Sequence, residues 1–305
     1  MGLNAPNANY FCLYCNCDAA SRWDMDQVWT NTGNSKCTKK LALFPAIDQN
    51  NYIPDELHLL LRISDTLMEC FFNDLTKKKE FEKQIKPNIE AAFKDLGVRF
   101  EFFKSTSSKW NWTSLMGTDK KKMLEKFPVA QFITGIRGEN IEVLWREFYR
   151  LYKVLRQSQL TDQEIYQFKV DAENWVRAFC RPSQGFINSS LNFGHYRKAD
   201  VTPYMHVFAK HIPLFMHQLK SKGLSLRIFS TSSIEKKNHS QVRLFFGGTT
   251  MGGGNKERTV VYDIMSFENR KLFYLISNTP KEITSRNINA DNKENLSHSF
   301  NDPGQ

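Results

Sequence analysis

The chain has 305 residues, 41% of them hydrophobic, and its 42 basic residues against 32 acidic ones give a net charge of +10. This length and apolar content support a real hydrophobic core, which excludes a disordered chain. No apolar run approaches the roughly 18 residues that a membrane span requires, so we expect no membrane partner. The positive charge suits a polyanion such as nucleic acid, although a lysine-rich soluble surface gives the same balance.

Residues 1–52 contain a C-x-x-C pair, Cys12 and Cys15, with Cys17 as a third thiol. This spacing is common among zinc ligands, but two small buried thiols would follow the same pattern. Weak periodicity here is typical of a loop region held by a metal instead of a core. Cys37 has no such partner and is interpreted as an ordinary free thiol. Sparse cysteines and the lack of a secretory leader predict reduced thiols in the cytoplasm or nucleus.

Residues 53–200 are predicted to be mainly helical. Asp55 and Glu56 suit a helix N-terminus, and apolar residues recur at helical spacing as far as Phe71. Further helices are expected over 140–155 and after a capping box, Thr161–Glu164, with a short strand or connector over 98–103. Lys120, Lys121 and Lys122 are interpreted as a solvated helix start.

A second face of the first predicted helix carries His58, Arg62 and Asp65. The simplest interpretation is a polar face that is solvated or hydrogen-bonded, since charged side chains are mostly exposed. The alternative is that His58 points toward the phosphates of a nucleic acid, an interpretation that the family resemblance given below supports, so both stay open at this point.

Residues 201–278 contain two histidines, His206 and His211, five positions apart. On a straight helix such residues diverge by about 140°, which favours two unrelated histidines. Pro213 follows closely, so we expect the helix to end or bend there. Imidazole is a common zinc ligand, and this pair would complete a tetrahedral site with the cysteines if the fold brings both ends together.

The last predicted helix carries Glu235 between a serine N-cap and two lysines, Lys236 and Lys237. Its carboxylate should stay ionised and able to bind a metal, although Glu also simply favours the first turn of a helix. A short β segment is expected over 224–230. Residues 279–305 are rich in Asn, Asp, Ser and Lys, and we expect them to be disordered.

The order of these motifs resembles the C-terminal half of Transib-type DNA transposases and of their relative, the catalytic subunit of the V(D)J recombinase. It runs C-x-x-C, a long helical span, Y-x-H-x-x-x-x-H-x-P from Tyr204 to Pro213, then S-x-x-S-x-E-x-x-N around Glu235. The resemblance covers about Gly2 to about Tyr274. It implies a mainly α fold: a zinc-bound helical insertion region plus the C-terminal edge of an RNase H-like core whose first strands are absent.

The resemblance also implies roles for particular residues. Zinc would be held by Cys12, Cys15, His206 and His211. Glu235 would be the last member of the catalytic Asp-Asp-Glu triad, and His58 would lie in an Asp-x-x-His segment near it. DNA would be contacted by Arg62, Lys236 and Lys237 in the nucleus.

One departure from the family concerns catalysis. Its first two catalytic aspartates precede the C-x-x-C, whereas none of the eleven residues before Cys12 is an aspartate. Two-metal phosphoryl transfer needs several carboxylates, so we expect this chain to be inactive alone and to bind magnesium only if the aspartates are supplied. Expected partners are DNA, a second copy or an upstream transposase fragment. The alternatives are a domesticated, non-catalytic nucleic-acid-binding or assembly module, and a metal-free helical protein.

Overall fold

The computed structural model describes residues 8–30, 37, 46–48, 51–104, 109–185, 191–248 and 260–277. The disorder predicted for residues 279–305 concerns a segment outside these ranges. Contacts divide the chain into two compact units, Met1–Thr231 and Ser232–Gln305. No helix in the described ranges combines the length and hydrophobicity that crossing a bilayer requires.

Helices dominate the first unit, as the periodicity predicts. The long ones are α1 (Glu56–Leu75), α5 (Ile136–Leu155) and α6 (Asp162–Phe179). The shorter ones are α2 (Lys86–Asp95), α3 (Gly117–Lys126), α4 (Val129–Phe132), α7 (Pro203–Lys210) and α8 (Ile212–Lys220), with a π-helical turn, Phe81–Ile85, leading into α2.

One antiparallel hairpin is the only sheet among the described residues. It pairs β1 (Phe102–Lys104) with β2 (Trp110–Trp112), and Phe103 lies opposite Asn111. The segment 98–103, predicted as a short strand or a connector, contains both: residues 98–101 lead into β1, which begins at Phe102. The described residues therefore show a mainly helical protein and do not show an RNase H-like core.

Local signals set the helix starts. The Asp55 carboxylate accepts a hydrogen bond from the Leu57 N–H at 3.2 Å, so α1 begins at Glu56. The capping box at α6 is confirmed: Thr161 Oγ1 accepts from the Glu164 N–H, and the Glu164 carboxylate accepts from the Thr161 N–H.

A single large core joins α1, α3, α5, α6, α7 and α8. Aromatic rings fill its centre: the Phe71 ring packs edge-on against Phe127 and Trp145, at centroid distances of 5.8 and 5.6 Å. The helices that carry the two histidines bury Met205, Phe208 and Phe215 in this core, which fixes their position.

Two expectations for this unit were wrong. Residues 224–230 do not form a β segment; Leu226–Phe229 is a 3-10 helix that buries Leu226 while Ile228 and Phe229 stay exposed. Lys120 is not solvated, because its side chain is 2% exposed and its Nζ donates to the Leu61 carbonyl oxygen and to Asp65. A buried lysine needs such partners, and they tie α3 to α1.

The second unit contains α9 (Ser232–Gly248) and α10 (Val260–Ile276). The predicted serine N-cap is not observed, because α9 begins at Ser232 and both candidate serines lie within its first turn. Lys237 on α9 forms an ion pair with Glu268 on α10. Large apolar side chains on α10 stay exposed, among them Met265, Phe273 and Ile276.

Candidate metal centre

The break between α7 and α8 positions both histidines. Thr202 caps α7 by accepting a hydrogen bond from the Met205 N–H, and His211 both ends α7 and precedes α8. Pro213 lies in the first turn of α8, where its missing N–H costs nothing. The predicted bend is therefore confirmed, and the two imidazole centroids lie 5.2 Å apart.

The structure brings this histidine pair together with the distant cysteine pair. Cys15 Sγ lies 3.3 Å from His206 Nε2, and Cys12 Sγ lies 3.4 Å from His211 Nε2. The two Nε2 atoms are 3.3 Å apart, and all four donor atoms lie within 4.8 Å of one another. These contacts join residues 191 and 199 positions apart in the sequence.

The spacing of the four atoms fits a metal ion. Zinc binds sulfur at about 2.3 Å and nitrogen at about 2.0 Å, so donors at the corners of a tetrahedron lie about 3.3–3.8 Å apart. Two sulfur–nitrogen distances and the nitrogen–nitrogen distance here are 3.3–3.4 Å. The cluster thus has the donor set and geometry to hold a metal such as zinc.

Burial indicates what kind of site this is. Cys12 and Cys15 are each 1% exposed, His206 is fully buried and His211 is 3% exposed. With four buried protein donors, a metal held here would have closed coordination, whereas a catalytic zinc site keeps a position for water.

Aromatic side chains enclose the cluster. Phe11 and Trp29 lie edge-on to the His206 ring, at centroid distances of 5.6 and 4.8 Å. Tyr14 packs against His211, and its hydroxyl donates to the Tyr52 carbonyl oxygen. The His206 Nδ1 atom is buried without a hydrogen-bond partner in the described part of the chain. This shell holds the rings by packing and keeps water out.

The thiols are held in their protonated form. The pKa of Cys12 is raised by its hydrogen bond with Cys15 and by burial. The hydrogen bond from Cys12 lowers the pKa of Cys15, but its hydrogen bond with Cys17 and burial outweigh this and raise it to about 12. Since a metal binds the thiolate, binding here must displace these protons.

Two further thiols surround the cluster without joining it. Cys17 is buried, contacts Cys15 and donates to the Asp18 carbonyl oxygen. Cys37 is also buried, and the nearby Cys12 helps to raise its pKa, after burial itself. Neither belongs to the group of four donors, and the six cysteines form no disulfide.

A second polar cluster lies at the start of α1. His58 is 41% exposed, and its Nδ1 contacts the Asp55 carboxylate. The same carboxylate accepts hydrogen bonds from the Thr231 N–H at 3.0 Å and from the Thr231 hydroxyl at 2.5 Å. Burial alone would raise the pKa of Asp55, but the hydrogen bonds from His58 and Thr231 lower it. The Asp-x-x-His spacing signals the first contact, whereas nothing in the sequence signals Thr231.

The remaining candidate residues lie on two helices. Arg62 is exposed on α1 and has no ion-pair partner among the described residues. Glu235, Lys236 and Lys237 lie in the first turns of α9, in the second unit. Because Lys237 pairs with Glu268, its charge is offset within that unit.

Comparison with known proteins does not identify a family. No protein-family model matches the sequence, and no curated protein matches it significantly. The resemblance to Transib-type transposases therefore stays a prediction. The functional argument depends on the geometry of the cysteine–histidine cluster.

Proposed function

We propose that this chain is a zinc-containing DNA-binding segment derived from a Transib-type cut-and-paste transposase. The observation that carries the proposal is the meeting of the C-x-x-C pair with the two histidines, 191 positions apart for Cys15 and His206. The motif order that resembles the family requires this same pairing.

Zinc would be held by Cys12, Cys15, His206 and His211 as two thiolates and two neutral imidazoles. The ion supplies a covalent-like cross-link between the loop that carries the cysteines and the α7–α8 junction. Its role would be structural, because the four donors are buried and no coordination position faces solvent.

DNA binding is supported by charge and by exposed polar residues on α1. The chain carries a net charge of +10, which attracts a polyanion over a long range. Arg62 and the half-exposed His58 lie one turn apart on α1, with the His58 ring held by Asp55. Such side chains contact phosphate oxygens through hydrogen bonds and charge. We place this activity in the nucleus, where chromosomal DNA is the partner.

For catalysis we propose an incomplete site. Glu235 would be the family's final carboxylate, but two metal ions need several carboxylates to hold them. We propose that further carboxylates must join Glu235 before DNA can be cut. The exposed apolar residues of α10, such as Met265 and Phe273, suit packing against another protein surface.

Metal analysis of the purified full chain tests the zinc site. We expect about one zinc per chain, lost in both Cys12→Ser and His206→Ala because each removes one of four donors. Cys180→Ser is the matched control, since Cys180 is also buried but its thiol donates to the Val176 carbonyl oxygen, away from the four donors. Zinc lost only with the cysteine change, or absent from the wild type, contradicts the joint site.

Binding to duplex DNA at several salt concentrations tests the second half of the proposal. Phosphate contacts release counterions, so affinity should fall steeply as salt rises. Zinc without salt-dependent DNA binding would favour the domesticated assembly module instead. Magnesium-dependent strand cleavage by this chain alone would refute the incomplete catalytic site.

A further inference from the structure

A group of cations lies where α3 packs against the C-terminal half of α5. It consists of Lys121 on α3, Lys153 on α5 and Arg156, which directly follows α5, and we call it the basic ridge. Lys121 Nζ and the Arg156 guanidinium both lie 5.6 Å from the centroid of the Tyr152 ring. Lys153 Nζ lies 4.8 Å from the Tyr149 ring. Two tyrosines thus hold three cations on one surface.

The positive charge of the ridge is only partly offset. Arg156 lies 3.2 Å from Glu56, whose side chain is fully buried beneath it. Neither Lys121 nor Lys153 has an ion-pair partner in the described ranges, and Glu125 near Tyr149 is the neighbouring exposed carboxylate. The pKa of Lys121 is lowered by burial and by the charge of Arg156. Folding therefore brings like charges close together, which is electrostatically unfavourable. A bound anion would reduce this repulsion.

We propose that the basic ridge binds the phosphate backbone of duplex DNA. This inference rests on the proposed DNA-binding function and assigns it a surface of the first unit, at α3 and the end of α5. Duplex DNA presents one negative charge per about 1.7 Å of its axis, so consecutive phosphates can face all three cations at once. The cation–π contacts hold the lysine and arginine stems in place, which lowers the entropy lost on binding.

A cleft lies just beyond the end of α5. Gln157, Ser158 and Gln159 follow Arg156 directly and line this cavity of about 480 Å³, together with apolar side chains such as Leu160 and Met216. Amide and hydroxyl groups of this kind contact phosphate and sugar oxygens in protein–DNA complexes. Backbone contacts of this type position DNA without reading its sequence, so we expect the ridge to contribute affinity for any duplex.

The test is the salt dependence of duplex DNA binding by the full chain, wild type against the double variant Lys121→Gln, Lys153→Gln. Arg156 is left intact because its removal would leave Glu56 buried without a partner. The slope of log affinity against log salt is negative, and each lost phosphate contact lowers its magnitude by about 0.9, so we expect the magnitude to fall by about 1.8. The variant Lys121→Arg, Lys153→Arg should keep the wild-type slope.

The matched control is Lys83→Gln, Lys169→Gln, which removes the same charge from exposed lysines on other elements. An equal drop in slope for this control would refute the ridge, since bulk charge alone would then explain the effect. A wild-type slope in the ridge variant would also refute it, while the DNA-binding function stands. If the wild type does not bind DNA, both the proposed DNA-binding function and the role of the basic ridge are refuted. Equal loss of binding to polyglutamate would overturn the assignment to DNA.

Discussion

Asp55 shows how one side chain organises a local site. Its carboxylate caps α1, holds the His58 ring and accepts two hydrogen bonds from Thr231, 176 residues later in the sequence. Thr231 is the last residue of the first unit, so this carboxylate joins the start of α1 to the end of that unit. A charge that satisfies this many donors is difficult to replace, because an uncharged acceptor binds each donor more weakly.

We expect Asp55→Asn to lower the free energy of unfolding by about 1–2 kcal/mol at neutral pH, because hydrogen bonds to a charged group are lost. The folded-state pKa of Asp55 lies below its ordinary value of about 3.9. Its stabilising contribution is therefore present above that value and is lost as pH falls through the folded-state pKa. The measurement is the free energy of unfolding in urea, for the wild type and for Asp55→Asn, at pH values from 7 to 3.

The control for that experiment is Asp95→Asn, at the exposed end of α2. Its stability should follow the wild type across the whole pH range. The difference between wild type and Asp55→Asn should be constant above about pH 5 and shrink below about pH 4. A difference that grows as the pH falls would contradict the proposed role of the Asp55 charge.

At the scale of elements, the contact of α4 with α5 depends on one glycine. A Cβ atom added at Gly138 would lie 1.5 Å from the Ile133 carbonyl oxygen and 2.6 Å from its carbon. Alanine normally favours a helix by up to about 1 kcal/mol over glycine, but here the clash must displace backbone.

We expect Gly138→Ala to lower the free energy of unfolding by about 3 kcal/mol, because the added methyl group overpacks a contact with rigid backbone. Thermal unfolding followed by circular dichroism measures the change. Glu139→Ala, at the neighbouring exposed position, should leave the melting temperature close to that of the wild type. Equal behaviour of the two variants would show that the α4–α5 turn adjusts freely.

The elements that sequence predicts well are those with local causes. The start of α1 at Asp55, the Thr161–Glu164 box and the break at His211 each depend on residues within one turn. The prediction of a strand over 224–230 was wrong because the conformation there depends on Leu226 packing in the core. The prediction of a solvated Lys120 was wrong because its hydrogen-bond partners lie on α1. A local pattern carries no information on such tertiary contacts.

For the whole molecule, the four candidate metal ligands can be identified from local sequence motifs, but the motifs alone do not show that the fold brings them together. Cys15 and His206 come together only because α7 and α8 pack in the core and the cysteine loop folds over them. That loop buries a small cluster of its own, Phe11 with Cys12, Cys15 and Cys17, apart from the main core. The stability of the cysteine loop therefore depends on the metal site more than the stability of the helices does.

This separation predicts a graded response to metal removal. A chelator should detach the cysteine loop and lower the melting temperature, because bound zinc stabilises the fold by about 4 kcal/mol when free zinc is about 1,000 times its Kd. The helical signal should largely persist, since α1, α5 and α6 bury their own core. Tryptophan emission should change as Trp29 leaves the His206 ring. His206→Ala, already without the site, should not respond to chelator, and an unchanged wild-type melting temperature would instead support a metal-free helical protein.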